Sequence, residues 1–148
     1  INEVESDYDR YLTENGKEKM RTIGQGLNKV GVEVDKIFSS PLIRAIETAE
    51  IIADEIGYER ENIIQIEGLI NGHDWREIFK TASNTDEVII VGHDPMFSDL
   101  VSQLIGANED SMPMKKGAVC KILIEDYNTF EGNELLWFIP PKVFSSLI

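Results

Sequence analysis

Apolar residues recur at spacings of three and four through Met20, Ile23, Leu27 and Val30, and Thr13 stands where such a helix would take its cap. The pattern therefore predicts a first helix, ended by Gly31. A second stripe runs through Leu42, Ala45, Ile46, Ala49, Ile52, Ala53 and Ile56 and stops at Gly57. Between the two helices, residues 35–39 read as a short strand. Residues 62–66 predict another strand, and residues 75–82 a short helix after a polar loop. Residues 88–91 predict a buried parallel strand, and 95–105 a helix with Met96, Leu100, Val101, Leu104 and Ile105 turned inward. Strand and helix alternate up to this point, which argues for a mostly parallel sheet with helices on both faces. The last third departs from that pattern. Residues 118–125 and 134–139 flank Gly132-Asn133 and read as an antiparallel pair at a sheet edge. The expected fold is an α/β three-layer sandwich, one domain over residues 1–148, with an antiparallel C-terminal hairpin. Its weak point is the beginning: residues 1–10 are acidic and without period, where such a sheet should open with a strand.

Composition narrows the function. A chain of 148 residues with 42% apolar positions has enough material for a sizeable core. Lysine and arginine number 14 against 27 acids, a formal net charge of −13, so neither nucleic acid nor an anionic membrane surface is an expected partner. No apolar run approaches the length of a membrane span. Cys120 is the single cysteine, which rules out an intrachain disulfide and suits a cytoplasmic setting. Nothing around it in sequence would lower its pKa enough to make it a nucleophile. The two histidines, His73 and His93, form no metal-binding pattern, since Asp74 is beside His73 rather than at helical spacing from it. The acids Glu3, Glu5, Asp7 and Asp9 lack the glycine-centred spacing of a calcium loop. No metal or cofactor is expected, and an anion site on so acidic a chain would need its cations gathered in one place.

One stretch offers such a place around a single arginine. In Ser39-Ser40-Pro41-Leu42-Ile43-Arg44-Ala45-Ile46-Glu47-Thr48-Ala49, Ser40 can cap the second helix and Pro41 suits its first position. Arg44 then offers a planar guanidinium beside the positive end of the helix. Taken alone this is also the pattern of a capped helix with a surface arginine. A second stretch adds weight: Val88-Ile89-Ile90-Val91-Gly92-His93-Asp94-Pro95 delivers His93 to a strand's carboxyl end, where open α/β sheets place their ligands.

Together the two stretches resemble the histidine phosphatase superfamily, with its phosphoglycerate mutase-like fold, and in particular its small phosphohistidine phosphatases of the SixA type. The likeness extends to Asp9-Arg10-Tyr11-Leu12-Thr13-Glu14-Asn15-Gly16, similar to the family's stretch before its first helix, and to Trp137-Phe138-Ile139-Pro140-Pro141, similar to its closing strand and tail. The resemblance implies a phosphatase that works without metal through a phosphohistidine intermediate. It implies that Arg44 and His93 hold the transferring phosphoryl group and that Arg10 lies at the pocket rim. The family's arginine-histidine-glycine triplet, whose histidine is the nucleophile, does not occur in the chain. It is expected in an apolar strand ahead of Ile1; the alternative is a pseudophosphatase that binds phosphate or phosphoproteins without turnover.

Larger members of the superfamily use an acidic residue after the third element to protonate the leaving group. Here that loop offers Glu67, His73 and Asp74, none within the family's usual acid motif. Phosphohistidine expels an imidazole that solvent can protonate near neutral pH, so a site without a placed acid suits it better than it suits a phosphomonoester. The expected partner is a phosphorylated protein such as a phosphotransfer domain; the alternative substrate is a small phosphorylated metabolite.

Overall fold

The computed structural model describes residues 10–71, 76–82, 87–92, 96–108 and 115–146. Helix α1 (Glu14–Lys29) begins where the pattern places it, with Thr13 in extended backbone and its Oγ1 accepting from Gly16 N at 3.0 Å. Met20, Ile23 and Leu27 are buried as expected. Val30 is not. It caps the C-terminus with its N–H turned back to the carbonyls of Asn28 and Gly26, and it is 49% exposed. Gly31 follows with φ at 85°, a turn that strongly favours glycine.

Three strands, β1 (Lys36–Ser39), β2 (Ile64–Gln65) and β3 (Val88–Val91), make a parallel sheet in the order β2-β1-β3. Asp35 and Glu87 lock the amino ends of β1 and β3 together: Asp35 N donates to Glu87 O at 2.7 Å, and Glu87 N donates to Asp35 Oδ2 at 2.8 Å. Side chains alternate across this sheet. Ile37 and Ile89 face Ala45, Ala49 and Ala53 of α2 (Ile43–Ile56). Phe38 and Ile90 face the other way, onto Ile78 of α4 (Glu77–Thr81) and Leu100 and Leu104 of α5 (Met96–Ile105). Helices therefore cover both faces, and the α/β sandwich read from the sequence is the observed fold. A third cluster joins Met20, Ile23 and Leu27 of α1 to Ile52 of α2 and to Phe144 of α6 (Pro141–Ser146). Contact between α1 and α2 is close: a Cβ on Gly24 would lie 2.8 Å from the Cβ of Glu55.

Several elements differ from expectation. Only Ile64 and Gln65 of the strand expected over 62–66 pair, because Arg60–Asn62 form a 3-10 turn whose Asn62 carbonyl accepts from Tyr58 Oη at 3.0 Å. The polar loop that follows contains a helix, α3 (Gly68–Asn71). Leu69 and Ile70 fold it by packing into the clusters on opposite faces of the sheet. Val88, Ile89 and Ile90 are half-buried rather than buried, since β3 is an outer strand of the described sheet. The hairpin of β4 (Val119–Leu123) and β5 (Glu134–Ile139) is antiparallel as expected. Among the described residues it forms its own two-stranded sheet and does not extend the parallel one. Helix α6 was expected as a tail; Pro141 opens it and the fully buried Phe144 fixes it against α1.

Candidate functional site

The strand order creates a crevice. From β1 the chain passes through α2 to β2 on one side, and β3 lies on the other side of β1, so the carboxyl ends of β1 and β3 mark a topological switch point. The two ends are tied where Ser40 N donates to Val91 O at 3.0 Å. Beyond this tie the chain runs from Ser40 to α2 on one face and from Gly92 towards α5 on the other. Gly92 has to be small: a Cβ there would lie 2.9 Å from the ring of Phe97, in the first turn of α5.

Arg44 is the second residue of α2 and is half-buried. The helix starts later than the sequence suggests. Ser40 is not its cap, and Pro41 lies ahead of it rather than at its first position. The N-cap is Leu42, which makes no side-chain capping bond among the described residues. Core packing is the cause, since Leu42 is 2% exposed and belongs to the cluster of Ile37, Ala45 and Ala49. Ser40 keeps a local role one step upstream, its Oγ accepting from Leu42 N at 3.2 Å, while Ser39 Oγ donates to Ser40 O at 2.8 Å. The later start puts Arg44 in the first turn, where the helix is electropositive; there Ala45 N donates to Leu42 O at 3.0 Å.

Arg10 is exposed, in the segment leading to α1. That segment is fastened to α2 by Glu47, whose Oε1 accepts from Leu12 N at 2.7 Å and whose Oε2 lies 3.7 Å from Lys17 Nζ. Glu47 follows Arg44 by one helical turn, so the fold brings the Arg10 segment to the Arg44 end of α2. Sequence reasoning gives Glu47 no part in the site, and only the fold reveals its reach across 35 positions. Glu67 is exposed and immediately precedes α3. Its neighbour Ile66 donates its N–H to Ser39 O at 2.9 Å, which sets Glu67 at the same carboxyl end of the sheet. Arg44, Arg10 and Glu67 thus share one end of the molecule. His93, His73 and Asp74 lie outside the described residues.

Burial pushes the Cys120 thiol up to about 11, so it stays protonated at neutral pH and is inert as a nucleophile. Among the described residues no three His, Cys, Asp or Glu side chains are grouped as metal ligands, and no helix is long and apolar enough to cross a membrane. The arrangement can do one thing well: bind an oxyanion with a guanidinium and the first-turn amides of α2 at the mouth of the switch-point crevice.

The model of the histidine phosphatase superfamily (branch 1) matches residues 2–73. Over 60 residues the chain is 42% identical to the serine/threonine-protein phosphatase Pgam5, mitochondrial, of Drosophila ananassae; the match takes in 40% of this chain and 21% of that protein. The matched stretch thus spans about a fifth of that relative's length. SixA from Agrobacterium tumefaciens superposes with a TM-score of 0.76 at 20% identity, covering 95% of this chain and 90% of the other. The protein histidine phosphatase SixA complexed with tungstate gives a TM-score of 0.76 at 20% identity, over 97% of this chain and 92% of that one. At such identities the two structures share the fold with this chain.

Proposed function

We propose that this chain, whose residues 2–73 match the model of the histidine phosphatase superfamily (branch 1), removes phosphate from a phosphorylated protein, with phosphohistidine as the substrate. The observation that carries the reading is the position of Arg44, in the first turn of a helix without a side-chain cap, beside the tied carboxyl ends of β1 and β3. Phosphoryl transfer is catalysed mainly by positioning and by charge placed around the equatorial oxygens. In the proposed site Arg44 meets two of those oxygens with its planar fork, and the first-turn amides of α2 meet the anion beside it. His93, which follows Gly92 in the chain, donates a further hydrogen bond, and Arg10 lies at the rim. The nucleophile in this reading is the histidine of the arginine-histidine-glycine triplet that the family resemblance implies. Its ring nitrogen bonds to phosphorus as the substrate's N–P bond breaks and the departing imidazole takes a proton from solvent. Water then attacks the enzyme's phosphohistidine, releasing phosphate and restoring the free imidazole.

A compact site supports a protein substrate. The stretch after β2 folds into the short helix α3 and packs onto the core through Leu69, leaving, among the described residues, little chain there to close over a small metabolite. A cytoplasmic setting is part of the proposal and rests on the lone, protonated Cys120.

The likeness to Pgam5 favours a second reading, in which the substrate is phosphoserine or phosphothreonine. An alkoxide leaving group needs an acid, and Glu67 and Asp74 are then the candidates. One comparison separates the readings: kcat/KM of the full-length protein on a phosphohistidine protein, a phosphoserine peptide and a sugar phosphate, each repeated with Glu67→Gln and Asp74→Asn. Phosphohistidine should be the fastest substrate, and each variant should stay within about tenfold of the parent, a barrier change below about 1.4 kcal/mol. A faster phosphoserine peptide that depends on either carboxylate would establish the second reading. A faster sugar phosphate would make the protein a metabolite phosphatase, and phosphate binding without turnover a pseudophosphatase.

A further inference from the structure

We propose that Glu47 is a positioning residue of the phosphate site: it holds the segment carrying Arg10 against the first turn of α2, so that Arg10 and Arg44 engage one anion. The inference rests on the phosphatase reading and adds to it a residue that touches no substrate. Three observations support it. The bond from Leu12 N to Glu47 Oε1 is short, at 2.7 Å, and its acceptor is a carboxylate with only 20% of its side chain exposed, which makes it a charge-assisted bond partly shielded from water. Arg44 precedes Glu47 by three positions in the same helix, and residues so spaced are neighbours on a helix surface. Arg10 is two residues from the clamped Leu12, within about 7 Å of chain.

Lys17 contributes from the other side. Its Nζ lies 3.7 Å from Glu47 Oε2, and it stands on α1 four residues after the Thr13 cap, so one carboxylate binds both the approach to α1 and the end of its first turn. The clamp is separable from the fold itself. The side chain of Leu12 packs with Met20, Ile23, Leu27, Ile52 and Phe144, and that apolar anchor survives when Glu47 is replaced. Loss of Glu47 should therefore loosen Arg10 more than it loosens the domain.

A double-mutant cycle with Arg10 in the full-length protein tests this. Glu47→Leu should lower kcat/KM on the phosphorylated protein by about tenfold and weaken inhibition by inorganic phosphate in step, because small misplacements of an anion-holding group are costly. Glu47→Gln, which keeps the acceptor oxygen, should recover to within about threefold of the parent. In an Arg10→Ala background Glu47→Leu should add nothing. An unchanged kcat/KM in Glu47→Leu, or an equal loss in both backgrounds, would overturn the proposal and leave Glu47 a staple between two helices. A second measurement does not depend on how the variants fold: inorganic phosphate titrated against the Arg10 and Arg44 side-chain N–H signals of the parent should shift both with one binding constant. A shift at Arg44 alone overturns the role of Glu47 while the phosphatase reading stands. No shift at either arginine removes the phosphate site, and the proposal with it.

Discussion

Helices α1 and α2 lie against each other and begin in opposite ways. At the start of α1 the Thr13 hydroxyl accepts from Gly16 N, and Gly16 is small enough to let Leu12 and Thr13 close in at 3.3 Å from where its Cβ would be. At the start of α2 the cap position holds a leucine that makes no such bond among the described residues. The first helix satisfies its own terminus. In the second, the core has claimed the capping position, so no side chain at that position meets the first-turn N–H groups, although Ala45 N reaches Leu42 O at 3.0 Å. The contrast shows how a packed domain can make an anion site without strain: burying one leucine at the right position keeps a polar side chain from occupying it.

The largest expected effect tests what the open start of α2 is for. Arg44→Lys keeps the charge and loses the planar fork, so turnover of the full-length enzyme should fall about 30- to 1000-fold, on the order of 2–4 kcal/mol in the barrier, with the unfolding midpoint nearly unchanged. Retained turnover would reduce Arg44 to a surface residue on an ordinary helix. Next in size is a change that makes the two helices alike. Leu42→Ser offers α2 a cap worth about 1 kcal/mol but removes a leucine from the core at on the order of 2–5 kcal/mol, so urea unfolding should show a net loss. A stabilised variant would mean that packing does not dictate the cap. Smallest is the reverse test on α1: Thr13→Ala should cost about 1 kcal/mol of stability. If the comparison is right, it should leave phosphate binding at the start of α2 within about twofold, a change of less than about 0.5 kcal/mol; a large change in binding would show the two termini to be coupled.

Much of this architecture could be read from the chain. The α1 stripe, the strand of Val88–Val91, the α2 stripe and the C-terminal hairpin all appear where periodicity put them. Local pattern is sufficient there because an amphipathic stripe or an apolar strand carries its own burial requirement. It failed where two requirements met at one residue. Ser40 has the better capping side chain, yet Leu42 lies on the buried stripe and packing moved the helix start by two positions. The short α3 and α6 were missed because each is fixed by one buried residue, Leu69 (with the partly buried Ile70) and Phe144, too few to show a period. In the site, Arg44 could be found from its neighbours in sequence, whereas Glu47 could not, because its partner is distant in sequence and is a backbone amide with no side-chain signature. Asp126 and Asn133 teach the same about the hairpin loop. Asn133 Oδ1 accepts from Glu125 N at 2.7 Å and Asp126 N at 3.0 Å while its Nδ2 donates to Leu104 O at 2.7 Å. The sequence shows a turn there, but not that the turn is pinned to the end of α5.

The gap left by a side chain at Gly24 has a mechanical consequence. With a Cβ there only 2.8 Å from Glu55, the backbones of α1 and α2 stand nearly in contact halfway along α1, and the cluster of Met20, Ile23, Leu27 and Ile52 fills the seam on either side. Material packed to that density is almost incompressible. The two helices therefore move as one beam, and thermal motion that tilts the beam carries the ends bearing Arg10 and Arg44 along together. The glycine that permits this contact lies about three helical turns along α1 from its start.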